Sequence, residues 1–282
     1  MKAIVLTFDE QVGFAELVYK KYIELWPSCP ITFRIPYNSK KSCASYDYFN
    51  SKDNVELIES PSGIRQTMSA LLSDIGDDEW VFWCIDDRYP VKNIKDTHDV
   101  EGSLNIIYNK IISGELSELS RVKIVSKVDD DDRLADVFKI KNIEFFKEDG
   151  KLKNFGGTYS HAFIKSKILK YYFLRDAMPD DYSIRKFHSL NKKLNEENFP
   201  WEDDGGSIIL KNHILSFAEP AIFGMLTMNG LTDMQQYGCP MPNYDLVLCT
   251  RFIMDERVDH KKVYNYRIKR IGNMALPVIS LK

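Results

Sequence analysis

Six apolar, aromatic and β-branched residues, Trp80-Val81-Phe82-Trp83-Cys84-Ile85, run without a break into two adjacent carboxylates, Asp86 and Asp87. No other stretch constrains the fold as strongly. A run of this length and composition reads as a buried strand. It delivers two negative charges to the carboxyl edge of a sheet, which is where open α/β sheets bind their ligands. Carboxylates at such an edge can hold a divalent cation and, through it, a phosphate. An acidic turn closing the strand, with Pro90 preventing its continuation, is the alternative, and the pair alone does not separate the two.

The residues upstream supply a context. Lys2 to Phe8 reads as a first strand ending at Thr7-Phe8-Asp9. Apolar residues at helical spacing between Gly13 and Leu25 (Phe14, Leu17, Val18, Tyr22, Leu25) predict a helix that Trp26-Pro27 ends. A second strand, Ile31 to Ile35, runs into the turn Pro36-Tyr37-Asn38-Ser39, and Val55 to Glu59 makes a third. The loop Ser60-Pro61-Ser62-Gly63-Ile64-Arg65 then opens a helix through Met68, Leu71, Leu72 and Ile75, which Gly76-Asp77-Asp78 closes before the strand at Trp80. Strand alternating with helix predicts an α/β fold, a mostly parallel sheet with helices on its faces. In the loop, Gly63 permits close backbone approach, the helix N-terminus offers free N–H groups, and Arg65 can pair with a carboxylate or a phosphate. Many strand-to-helix loops carry Ser and Gly. This one gains weight because its helix leads straight to Asp86 and Asp87, so that both would share one sheet edge.

The second half is less regular. A helix is expected from Val100 to Ile112, a strand from Val122 to Val128, and one or two strands between Val137 and Phe146. Asp129 to Asp132 reads as a solvated acidic loop, because consecutive carboxylates rarely converge on one ion. Ala162 to Leu174 reads as a short strand and then a helix, and Ser183 to Glu197 has helical spacing. Ile208 to Leu210 and Ile214 to Phe217 read as short strands. The basic cluster Lys261, Lys262, Arg267, Lys269 and Arg270 lies within an alternating stretch (Val263, Tyr264, Tyr266, Ile268) that fits an amphipathic strand. It could also meet a diphosphate or an anionic lipid surface.

At 282 residues, 44% hydrophobic and 28% charged, the chain suits one large globular domain or two small ones. The lack of an internal repeat or a low-complexity linker favours one domain with two halves. Its net charge of −3 gives no electrostatic case for nucleic-acid binding. The five cysteines, Cys29, Cys43, Cys84, Cys239 and Cys249, form no Cys-X-X-Cys pair and read as free thiols in a reducing cytoplasm. The apolar run at Met1 to Thr7 is too short for a signal sequence, and no segment approaches the ~18 apolar residues that span a bilayer. A cytoplasmic protein is expected, with attachment to the inner membrane surface left open.

In order and local motif, the first hundred residues resemble the GT-A class of glycosyltransferases. The matching pieces are Lys2 to Phe8, Ile31 to Ile35, Ser62-Gly63-Ile64-Arg65 and Ile85-Asp86-Asp87. Where that class carries Asp-X-Asp, this chain has Asp86-Asp87-Arg88, with a cation at the final position. Either Asp87 holds the metal with Asp86 nearer the ribose, or Arg88 itself offsets diphosphate charge. Trp201-Glu202-Asp203 resembles the acidic motif that inverting GT-A enzymes place beneath the acceptor. The lysine-rich, aromatic stretch from Ala162 to Leu174, followed by Phe199-Pro200-Trp201-Glu202, resembles a bacterial glycosyltransferase pattern. The competing reading has Glu202, Asp203 and Asp204 cap a surface turn before Gly205-Gly206.

The resemblance implies a GT-A-like (Rossmann-like) sheet in a single domain with two halves. Residues 1–100 would bind a nucleotide-sugar through Asp9, Ser62, Gly63, Arg65, Asp86 and Arg88. Residues 101–236 would bind a glycan or lipid-linked acceptor, and residues 237–282 would form a tail packed on the domain. Asp87 and Asp86 would hold Mn²⁺ or Mg²⁺. His213, which follows the acidic motif, is the late histidine to consider as a further ligand, although it, His161 and His260 each read first as structural. Asp203, or Glu202 beside it, would deprotonate the acceptor hydroxyl, with Trp201 walling a sugar ring. Two rivals remain at this stage. One is a sugar-phosphate nucleotidyltransferase, whose Gly-rich N-terminal loop is missing from Leu6 to Gln11. The other is a non-catalytic glycan- or nucleotide-binding module on the same fold.

Overall fold

The run from Trp80 to Ile85 is the fourth strand of a nine-stranded sheet in a computed structural model of the chain. The structure describes residues 1–9, 12–86, 89–92, 99–124, 137–140, 143–148, 161–179, 190, 193–194, 207–210, 215–218, 264–271 and 274–281. The first half alternates as its sequence pattern requires: β1 (Lys2–Leu6), α1 (Val12–Leu25), β2 (Thr32–Tyr37), the short α2 (Tyr46–Asn50), β3 (Val55–Glu59), α3 (Ile64–Leu72) and β4 (Trp80–Ile85). There follow β5 (Tyr89–Lys92), α4 (Val100–Ile112), β6 (Arg121–Lys123), β7 (Val137–Ile140), β8 (Ile143–Glu148), β9 (Ala162–Lys165), α5 (Ser166–Leu174), β10 (Ser207–Leu210), β11 (Leu215–Ala218), β12 (Tyr264–Ile271) and β13 (Met274–Leu281).

The sheet order is β3-β2-β1-β4-β9-β6-β10-β8-β7. Neighbours are parallel from β3 through β4 and again between β6 and β10, and only β9 and β8 run against the rest. The α/β class is as expected, with a common strand direction broken twice in the second half. One reason is visible at β7 and β8. Two residues separate them, and a link that short closes only an antiparallel hairpin. The sheet is continuous across residue 100, because β9 pairs with β4.

Period-two alternation sorts the strand side chains onto two faces. Ala3 and Val5 of β1 and Phe82 and Cys84 of β4 join α1 and α4 in one core. Ile4, Val81 and Trp83 join α3 and α5 in the other. Each large apolar side chain fully withdrawn from water contributes about 1.5–3 kcal/mol, so a strand buried on both faces is anchored twice. Cys29, Cys43 and Cys84 are free thiols, and burial pushes Cys29 up to about 12 and Cys43 up to about 11.

Three local expectations change. β2 continues through Pro36 and Tyr37 instead of turning there. Its pairing with β1 reaches only Arg34, so the missing N–H of Pro36 interrupts no ladder on that side. The five-residue α2 is too short for periodicity to reveal. Pro90 does not end extended structure, since β5 resumes after Asp86 in a separate two-stranded ribbon with β11, where proline is tolerated. In the basic stretch, Tyr264–Ile271 forms β12, paired with β13, and Lys261 and Lys262 lie outside the described residues. Asp129 to Asp132 lies outside the described residues.

An ion cluster ties the strands to the end of α3. Arg34, whose side chain is 5% exposed, donates to Glu56 on β3 at 2.9 Å, to both oxygens of Asp74 at 2.5 and 2.7 Å, and to the Leu71 carbonyl at 2.8 Å. Lys2 of β1 pairs with Glu56. The Arg34 fork holds the Asp74 carboxyl down to about 2. An unfolded chain protonates Asp74 near its ordinary value of about 3.9. The stabilisation is therefore complete above that pH and is lost as pH falls through the folded value. With the Asp74 side chain 63% exposed, solvent screening leaves about 1 kcal/mol. Asp74→Asn is expected to lose that amount at neutral pH, and urea midpoints should show the gap to wild type closing between pH of about 4 and about 2.

Candidate functional site at the carboxyl edge of the sheet

The chain leaves β1 through α1 to reach β2, then returns from β3 through α3 to β4 on the other side of β1. The strand order thus reverses between β1 and β4, with α1 on one face and α3 on the other. A crevice at such a reversal, outside the carboxyl ends of the strands, is the general ligand site of open α/β sheets. Leu6 pairs with Ile85 as the last row of the β1–β4 ladder. Asp86 follows at once, 8% exposed, beside the chain leaving β1 as Thr7-Phe8-Asp9. Because β1 to β4 are mutually parallel, Asp9, Ser62, Gly63, Arg65 and Asp86 all fall on this one edge, as the sequence led us to expect.

Their individual settings differ. Gly63 caps α3 with φ of 116°, a left-handed-region value that disfavours any residue with a Cβ, so glycine is required for the loop's path. The first turn of α3 carries no acidic residue, leaving the positive end of the helix dipole on this edge. Ser62 is exposed beside it. The guanidinium of Arg65 donates to the carbonyl of Met178 and, at 3.5 Å, to that of Leu174 at the end of α5, so it bridges α3 and α5. Asp9 is buried, and its carboxylate accepts from the Asn38 N–H at 2.8 Å, the Ser39 N–H at 3.1 Å and the Ser42 hydroxyl.

His161 is a structural histidine. It is fully buried, with Nδ1 2.6 Å from the Tyr22 hydroxyl and Nε2 about the backbone of Ile85, 3.2 Å from its N and 3.1 Å from its O. Burial raises the Tyr22 phenol well above its ordinary value, which keeps it a neutral donor or acceptor for either tautomer. The ring thereby fastens β4 at its last residue, Ile85, just before Asp86.

Two residues at this edge belong to no motif in the sequence. Phe8 is 46% exposed, an unusual position for a phenylalanine. The strand expected to include it stops at Leu6, and Phe8 stands between the buried residues Thr7 and Asp9. The signal was the Thr-Phe-Asp step, where an apolar residue follows the last paired position and precedes an acid. Asn38, a turn residue by type, links Asp9 to Ser60.

Asp87, Arg88, Glu202, Asp203, His213 and Trp201 lie outside the described residues. Two described strands that follow some of them in sequence, β5 after Arg88 and β11 after His213, pair with each other. In that ribbon Tyr89 faces Ala218, while Leu215, two residues after His213, faces Lys92 at the end remote from Asp86. The ribbon packs against α1 through β5.

As to a metal ion, no three His, Cys, Asp or Glu side chains come together as a ligand set among the described residues. A cation that bridges a substrate diphosphate needs only one or two protein carboxylates. Asp86, a buried carboxylate at the strand reversal, fits as one of them, whereas Asp9 and His161 are committed to protein groups. No described helix is long and apolar enough to cross a membrane.

No protein-family model matches the sequence, and no curated protein matches it. Among solved structures, the chain is similar to the galactosyltransferase LgtC in complex with donor and acceptor sugar analogues, at 13% identity and a TM-score of 0.37 over 74% of this chain and 73% of that one. An active-site variant of LgtC gives 14% identity and a TM-score of 0.37, over 74% and 72%. S. aureus TarS in complex with UDP-GlcNAc gives 12% identity and a TM-score of 0.44, over 77% of this chain and 57% of that one. So distant a likeness assigns this chain neither an activity nor a ligand.

Proposed function

We propose that the chain is a glycosyltransferase of the GT-A type, moving a sugar from a nucleotide-sugar to a hydroxyl of a glycan or lipid-linked acceptor with inversion. One observation carries the reading: the buried carboxylate of Asp86 stands at the strand reversal, on the same edge as the Gly63-capped start of α3. A carboxylate and a helix N-terminus facing one crevice are what a nucleoside diphosphate and its counter-ion require.

Residues 1–100 take the donor. Asp86 lies nearest the ribose, the N–H groups after Gly63 and the Ser62 hydroxyl face phosphate oxygens, and Arg65 and Arg88 add positive charge. Mn²⁺ or Mg²⁺, held by Asp87 with Asp86, would neutralise charge growing on the departing diphosphate. His213 is the weaker candidate for a further ligand, because the ribbon residue closest to it in sequence pairs at the end remote from Asp86. Asp203, or Glu202 beside it, takes the proton from the acceptor hydroxyl, a poor nucleophile until deprotonated. Support for bringing the second half of the chain to this edge comes from the β5–β11 pairing, which lays residues 215–218 beside residues 89–92. The acceptor then belongs to residues 101–236, with residues 237–282 as a tail on the domain.

Titration with UDP, GDP and CMP, each with and without Mn²⁺, tests the reading. Nucleotide binding together with slow sugar-nucleotide hydrolysis in the absence of acceptor is expected. Tight glycan binding with no nucleotide binding would overturn it in favour of a non-catalytic module. Pyrophosphate-releasing synthesis of a sugar nucleotide would overturn it in favour of a nucleotidyltransferase.

The exposed ring of Phe8 offers a flat apolar surface to the base. Stacking of a base on an aromatic side chain is worth about 1–3 kcal/mol. Phe8→Ala is therefore expected to weaken nucleotide affinity about tenfold or more, by isothermal titration. Being half exposed, the ring contributes little to the core, so the melting temperature should stay near that of wild type.

A further inference from the structure

We infer that Asp9 is a positioning residue, setting the two loops that flank the nucleotide crevice without touching the ligand. The inference rests on the glycosyltransferase reading and departs from it on this residue, which the family resemblance assigns to donor contact.

Asp9 is 5% exposed, and its two oxygens face protein donors. Oδ1 accepts from the Asn38 N–H at 2.8 Å, and Oδ2 accepts from the Ser39 N–H at 3.1 Å and from the Ser42 hydroxyl. Two consecutive backbone N–H groups converging on one carboxylate pin the loop that leaves β2, and bonds to an ionised acceptor are the stronger kind. The loop is also closed on itself. Ser39 Oγ lies 2.7 Å from Ser42 Oγ and accepts from the Ser42 N–H at 3.1 Å.

The tie extends to the next strand. Asn38 Nδ2 donates to the Ser60 carbonyl at 2.9 Å, and the Ser60 N–H donates to the Tyr37 carbonyl at 2.9 Å. Ser60 Oγ lies 3.4 Å from Thr67 Oγ1 on α3. A continuous path therefore runs from Asp9 through Asn38 and Ser60 to the loop whose next turn, at Gly63, opens α3. The first turn of that helix is the phosphate-facing element of the proposed site. Holding it in place before the ligand arrives is how a group remote from the ligand can govern affinity.

Three variants decide the matter: Asp9→Asn, Ser42→Ala and Asn38→Ala. Nucleotide affinity is measured by calorimetry with whichever of UDP, GDP or CMP binds the wild type in Mn²⁺. Amide hydrogen exchange is measured over residues 38–42 and 60–62 in the ligand-free protein. Asp9→Asn keeps the shape but turns an NH₂ toward a donor, and it is expected to weaken binding about tenfold, the worth of one hydrogen bond to a charged group. Ser42→Ala and Asn38→Ala should each reproduce part of that loss, and Asp9→Asn combined with Ser42→Ala should bind no more weakly than Asp9→Asn alone. Exchange should quicken in both loops for Asp9→Asn. Ser42 is exposed, so its variant should fold even if Asp9→Asn does not.

Wild-type affinity in Ser42→Ala and Asn38→Ala alongside a loss in Asp9→Asn would overturn the inference, since Asp9 would then touch the ligand itself. Wild-type affinity in Asp9→Asn would overturn it too. Should the wild type bind none of the three nucleotides, the glycosyltransferase reading falls and takes the ligand half of the inference with it. Unchanged exchange in Asp9→Asn would separately overturn the positioning half.

Discussion

Asp203→Asn is expected to reduce sugar transfer by roughly 10²–10⁴-fold, the usual worth of a positioned general base, while leaving nucleotide affinity unchanged. The asymmetry follows from the division of labour proposed above. An amide cannot take the acceptor's proton, but the donor half of the site does not involve residue 203. Single-turnover transfer and a nucleotide titration on the same protein read both numbers. The fold makes this an exacting test. β10 enters the sheet at Ser207, level with Val81 through β6 and β9, which is nearer the amino edge than Asp86 is. Only afterwards does the chain reach β11 and the ribbon beside Asp86. A fully active Asp203→Asn protein would move the base to another residue, with Glu202 the next to replace.

Asp87→Asn is expected to abolish the part of nucleotide binding that depends on a divalent cation, and with it transfer. A cation that contacts one or two protein carboxylates and the substrate's phosphates loses half or all of its protein charge when one carboxylate becomes an amide. The check is a pair of titrations. Wild type should bind nucleotide more tightly with Mn²⁺ than without, and the variant should show no such difference. If the variant keeps the wild-type Mn²⁺ response, the cation is not held by Asp87, and the burden shifts to Asp86 or to charge compensation by Arg88.

Much of the first half was legible because local chemistry and fold agreed there. Val81, Phe82, Trp83 and Cys84 are apolar in sequence and buried in the sheet, so periodicity and burial report the same fact. The glycine before α3 could be picked out by residue type, and its φ of 116° shows why that type is needed. Where position depends on pairing between distant segments, residue type misled or was silent. Pro36 looked like a turn because its ring removes an N–H, yet β1 has already stopped pairing at that point. Residue type is silent on the partners of Asp9, whose two oxygens accept from the loop at Asn38 to Ser42. Phe8 reads as the end of a strand, and the structure leaves it half exposed after the last paired residue of β1.

The sequence by itself determined that this is an α/β chain, that β4 is buried, and that a Gly-capped helix and an acidic step share one sheet edge. Each of these depends on a few neighbouring residues and on periods of two or 3.6, which any reader of the chain can count. Only the tertiary structure decided that the strand order reverses at β1 and β4, that β9 and β8 run against the others, and which protein donors Asp9 meets. Those outcomes depend on pairings between residues far apart in the chain, such as Lys2 with Val81, Trp80 with Lys165 and Asn38 with Asp9. No local pattern encodes which distant partner a donor will meet, because that choice is made by the packing of the whole sheet.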